Sequence, residues 1–74
     1  MFNFSKALEE IRKGGKVARE GWNGRGMHVS FCLGETQDDL PYLRMKTAQG
    51  KFVPWLASQT DLLAEDWYTV GDPS

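Results

Sequence analysis

The chain is poor in the residues that hold a small fold together covalently or through a metal. Among its 74 residues Cys32 is the one cysteine and His28 the one histidine. An internal disulfide is therefore excluded, and a structural zinc site, which takes about four Cys or His ligands, has too few donors. Charge of one sign is scarce as well: nine Lys and Arg stand against ten Asp and Glu, a formal charge of −1. The broad basic field of a duplex-DNA binder is missing, so long nucleic acid is not the expected partner. No apolar run approaches the roughly 20 residues of a membrane span, and no membrane association is expected. The start of the chain has neither the cationic nor the apolar region of a secretory leader, which together with the lone cysteine predicts a cytoplasmic protein. A chain this short buries only about 60% of the surface its unfolded form exposes. With disulfides and metals closed off, oligomerisation is the expected supplement to the core.

What the chain does have is flat aromatic surface and punctuation. Aromatics make up 12% of it and include three tryptophans, more than a minimal core needs. In "MFNFSKALEEIRKG", Phe4, Ala7, Leu8 and Ile11 fall at the spacing that places them on one helical face. Asn3 is the expected N-cap, with Phe2 and Ala7 as a hydrophobic staple, and Gly14 and Gly15 supply the left-handed cap and exit. "KVARE" is a short candidate strand and "GWNGRG" is turn chemistry. "MHVSFCL" alternates Met27, Val29, Phe31 and Leu33 with His28, Ser30 and Cys32, the period of a half-buried strand. "GETQDDLP" is an acidic connection. "YLRMKT" and "KFVPW" then form a hairpin across "AQG", with Gly50 left-handed and Pro54 marking an edge. "SQTDLLAED" supports one or two helical turns capped by Ser58 or Thr60, "DWYTV" is a last strand, and residues 71–74 are a frayed tail. The expectation is a single α+β domain over 1–74, an N-terminal helix packed on a small, mostly antiparallel sheet of about five short strands.

Catalysis finds little support. His28 and Cys32 share one face of their strand, but two ligands do not make a metal site, and their ordinary place is the strand's second face or a subunit contact. A nucleophile paired with His28 would have to be Ser30, Ser58 or Cys32, none in a recognisable nucleophile setting. Glu65 and Asp66 read as a solvated turn. Binding fares better. "GWNGRG" gathers an indole that can stack on a base, an amide, backbone N–H groups and a guanidinium suited to phosphate. It lacks the Lys-Ser/Thr of a phosphate loop, and the competing reading is a tight hairpin whose Trp22 folds back on the sheet. In "VPWLASQTDLLAEDW", Trp55 is followed by Ser58, Gln59, Thr60 and Asp61 at a helix start. These residues serve equally well as a nucleotide pocket and as a capped turn over core tryptophans.

The stretches "VAREGWNGRGM" (17–27), "MKTAQGKFVPWLASQTDLLAEDW" (45–67) and the start "FNFSKALEEIRKGGK" resemble a family of small phage and prophage proteins that includes the second type of Thoeris anti-defence protein, a signal sponge. The likeness spans roughly residues 1–70. It implies a non-enzymatic function without cofactor or metal: binding of a cyclic ADP-ribose-type messenger, glycocyclic ADP-ribose, so that the defence effector never receives it. The likeness extends to sponges for cyclic oligonucleotide messengers. It also implies a homotetramer with nucleotide pockets at subunit interfaces, acting in the cytoplasm of the infected bacterial cell. Carried onto this chain, the matching positions are Trp22, Asn23, Gly24, Arg25 and Gly26 in the first block and Pro54, Trp55, Ser58, Gln59 and Asp61 in the second. On side-chain chemistry, Trp22 and Trp55 are expected to wall the base. Asn23, Gln59 and Asp61 would read base edges and ribose hydroxyls, and Arg25 would meet the pyrophosphate. Leu56, Leu62, Leu63 and Trp67 are assigned to core or subunit contacts. Longer relatives carry more chain where this one has "GETQDDLPYLR". Arg44 and Lys46, on one side of the strand that follows, either add phosphate contacts or are solvated. The alternatives are a protein–protein interaction module using the tryptophan surface and, third, an enzyme that degrades the messenger.

Overall fold

A computed structural model describes residues 1–22, 26–34 and 38–71. Helix α1 (Phe4–Arg12) starts where Asn3 accepts a hydrogen bond from the Lys6 N–H at 3.0 Å. It ends where Gly14 takes φ 94° and donates to the Ile11 carbonyl at 2.9 Å. Gly15 must also lack a side chain, because a Cβ there would lie 2.9 Å from the Glu10 carbonyl oxygen. Five strands follow: β1 (Val17–Arg19), β2 (His28–Cys32), β3 (Tyr42–Lys46), β4 (Phe52–Pro54) and β5 (Trp67–Thr69), with the short helix α2 (Gln59–Leu63) before the last. They form one antiparallel sheet in the order β4-β3-β2-β1-β5. The α+β expectation therefore holds.

Both sheet edges are managed. Pro54, which cannot donate to a ladder, lies on the outer strand β4. On the other side Phe2 exchanges two backbone hydrogen bonds with Trp67, at 2.9 and 3.1 Å, and covers β5. The register pairs Val17 with Val29, Val29 with Met45 and Met45 with Val53, so these residues share one face. Ala7 and Ile11 of α1 bury against that face with Val17, Val29 and Trp67. The alternate residues, Ala18, His28, Ser30, Arg44, Lys46, Phe52 and Tyr68, belong to the opposite face. Both described helices lie on the first face, where α1 packs on β1, β2, β5 and α2.

One expectation is corrected and another narrowed. In β2 only Val29 of the alternating apolar set is buried, while Phe31 is 38% exposed and Leu33, past the strand end, 72%. A nine-residue helix spans only about 13 Å and cannot roof the whole strand face. Leu56, Leu62 and Leu63, expected in core or subunit contacts, are 92%, 42% and 78% exposed in the single chain, so of those two places the core is excluded. The buried residue of α2 is Asp61, because the groups it faces are hydrogen-bond donors.

Candidate functional site

Trp67 is the post around which the aromatic residues assemble. Its side chain is fully buried, and the rings of Trp22, Phe4 and Trp55 stand 5.3, 5.4 and 5.9 Å from it, all tilted or edge-on. Trp22 and Trp55 meet each other edge-on at 6.4 Å. Such pairs contribute about 0.5–1.5 kcal/mol each beyond their buried area. Two residues far apart in sequence, one in a turn and one just past a strand, are thus held side by side, each partly buried.

Asp61 is the polar counterpart. One carboxylate oxygen accepts from Arg19 Nη1 at 2.9 Å and from Trp22 Nε1 at 3.2 Å. The other accepts from the Ser58 N–H at 3.1 Å, while the Asp61 N–H donates to Ser58 Oγ at 3.1 Å, a reciprocal cap on α2. The Asp61 carbonyl accepts from Trp67 Nε1 at 3.0 Å. Burial alone would raise the Asp61 carboxyl, but the hydrogen bonds from Arg19, Ser58 and Trp22 outweigh it and hold its pKa below the ordinary carboxylate value. Arg19 also donates through Nε to Asp66 at 2.8 Å, and Asp66 accepts from the Gly21 N–H at 2.9 Å. The Arg19 hydrogen bond holds Asp66 low in turn, and the two carboxylates raise the guanidinium. Asp66 is therefore a pinned partner of β1, where the sequence suggested a solvated turn.

Of the expected site residues, Trp22, Trp55, Ser58 and Asp61 come together in this network. Gln59 is exposed at the first position of α2, Pro54 is exposed opposite Arg44 on β3, and Gly26 adopts φ 76°. Asn23, Gly24 and Arg25 lie outside the described residues. The sequence reading did not single out Arg19, whose role depends on two acids more than 40 positions away.

One depression borders this network and a second adjoins the first. The first, of about 530 Å³, is lined by Arg19, Glu20, Trp22, Met27 and Tyr68 among others. The second, of about 400 Å³, lies on the open sheet face and includes Lys16, His28, Lys46 and Thr69. They share Gly26, Met27 and Tyr68, so the end of the 22–27 connection and the Tyr68 ring separate them. Burial, followed by the nearby Lys16 and Lys46, pushes the His28 pKa down. Among the described residues no group of three His, Cys, Asp or Glu side chains could hold a metal ion. Among the described residues no helix is long and apolar enough to cross a membrane.

Residues 2–70 match the model of the Thoeris anti-defense 2-like domain. The chain is also similar to Thoeris anti-defense 2 of Bacillus phage SP01, with 36% identity over 80 aligned positions, covering 88% of this chain and 90% of that protein. The aligned span exceeds the 74 residues present here, so the relative carries inserted residues. Since the match takes in α1, all five strands and both tryptophan blocks, this chain belongs to the Thoeris anti-defense 2-like family.

Proposed function

We propose that this protein counters Thoeris immunity as a sponge: it binds a cyclic ADP-ribose-type messenger, glycocyclic ADP-ribose, and holds it intact. The observation that carries the reading is family membership over nearly the whole chain. Trp22, which lines an open cleft and meets Trp55 edge-on, adds a physical rationale, since an aromatic surface with adjacent hydrogen-bonding groups suits a purine nucleotide. Sequestration requires no bond to break. It requires protein in excess of messenger and a dissociation constant below the effector's, so that free messenger stays under the activating level.

In this reading Trp22 and Trp55 contact the base, and Gln59 with Asn23 and Arg25 supply polar contacts. Asp61, its oxygens engaged by Arg19, Trp22 and Ser58, holds Trp22 in place and does not itself read the ligand. The reading includes a homotetramer in the host cytoplasm, with ligand held where subunits meet.

Calorimetry of the purified chain with glycocyclic ADP-ribose tests it. Expected are saturable binding, recovery of unaltered messenger by mass spectrometry after heat denaturation, and weakened binding in Gln59→Ala and Arg25→Ala chains that stay folded. Absence of binding at micromolar protein, or loss of intact messenger on incubation, overturns it.

A further inference from the structure

We propose that the open face of the sheet carries a phosphate-binding site at Lys16, His28 and Lys46, suited to the diphosphate of a nucleotide, with the Tyr68 ring beside it for the attached sugar or base. Its geometry stands alone; only the identity of the nucleotide rests on the messenger reading above.

Charge is segregated in this chain. On the helix side Arg19 is matched by Asp61 and Asp66. The open face collects Lys46 and Arg44 on β3 and Lys16 just before β1, and among the described residues none of the three has a carboxylate within ion-pair distance. With a formal charge of −1 overall, this clustering is not the trivial result of a basic chain. Like charges gathered on one face without a carboxylate partner repel one another, so an anion bound there would relieve that repulsion.

The cluster encloses space. Lys16, His28, Lys46 and Tyr68 line the depression of about 400 Å³ already described. His28 lies directly opposite Lys46, and Lys46 opposite Phe52. Beside this row the Arg44 guanidinium lies 4.0 Å from the centre of the Phe52 ring, and its Nε is buried without a hydrogen-bond partner. Two lysines about one cavity favour an anion with more than one charge. Tyr68, 41% exposed, offers the surface a nucleoside would cover. His28 is only 8% exposed; burial and the charges of Lys16, Lys46 and Arg44 favour its neutral form, while a backbone hydrogen bond involving Gly26 opposes them. A bound phosphate would offset those cations and shift the imidazole toward protonation.

Because His28 is the one histidine, its ring proton resonances report on this site alone. The full chain is titrated with inorganic pyrophosphate, and the His28 pH titration is recorded with and without the anion. Expected are a saturable shift of the His28 signal and a raised apparent pKa. Both should disappear in a Lys16→Gln/Lys46→Gln chain whose tryptophan fluorescence shows an intact aromatic cluster. The same double substitution is expected to weaken glycocyclic ADP-ribose binding by at least about tenfold. An unmoved His28 signal at millimolar pyrophosphate, or an equal response in the double variant, overturns the site. If the messenger binds wild type and variant equally and pyrophosphate leaves His28 unmoved, the phosphate site fails and the sponge reading stands. If pyrophosphate moves His28 but no cyclic nucleotide binds, the sponge reading fails and the anion site stands.

Discussion

At the residue scale the decisive group is Asp61. A carboxylate taking hydrogen bonds from a guanidinium, an indole and a backbone N–H is stabilised in its charged form. Removing that charge leaves Arg19 and Trp22 with weakened acceptors in a mostly dry site. Asp61→Asn is expected to lower unfolding free energy by about 2–3 kcal/mol in urea denaturation. The same logic sets an acid limit. Asp61 and Asp66 have folded pKa values below those of the unfolded chain, so their stabilisation is fully present above the ordinary carboxylate value of about 4. It is lost as pH falls through the lower folded values. The urea midpoint is expected to fall between about pH 5 and pH 2, and Asp61→Asn to flatten that fall.

At the element scale the two helices teach opposite lessons. Helix α1 was legible: Phe4, Ala7, Leu8 and Ile11 recur at the helical spacing, Asn3 caps it, and Ala7 and Ile11 are the residues it buries. Helix α2 has five residues, too few for a period to declare a face, and its leucines, which fitted core or subunit contacts equally, lie outside the core of the single chain. Its inward residue is polar because Arg19 from β1 and the indole of Trp22 arrive there from elsewhere in the chain. So short a helix depends on its cap. Ser58→Ala, which removes the acceptor for the Asp61 N–H, is expected to cost about 1 kcal/mol by thermal or urea denaturation. A loss below measurement would show that tertiary contacts alone hold the turn.

At the scale of the whole molecule, one face of the sheet is roofed by helices and the other is not, while Leu40, Leu56 and Leu63 are each more than three-quarters exposed. The proposed self-assembly would cover both. Light scattering is expected to give a mass above 8.4 kDa at micromolar concentration, and Leu56→Glu/Leu63→Glu to lower that mass without lowering the urea midpoint of the dissociated chain. A monomer at every concentration would remove the assembly from the proposed function.

The sequence by itself determined the α1 face, the left-handed turns at Gly14 and Gly50, the edge position of Pro54, the alternation that puts His28 and Lys46 opposite Val29 and Met45, and the family. These are local matters, decided by backbone sterics and by periods of two or 3.6 residues. Only the tertiary structure decided that Trp67 is the buried post for Trp22 and Trp55, that Asp61 and Asp66 are held by Arg19, and that Lys16 and Lys46 line one cavity with His28. Each of those pairings joins strands, turns and caps distant in sequence. No spacing encodes them, because they arise when β1 takes its place between β2 and β5.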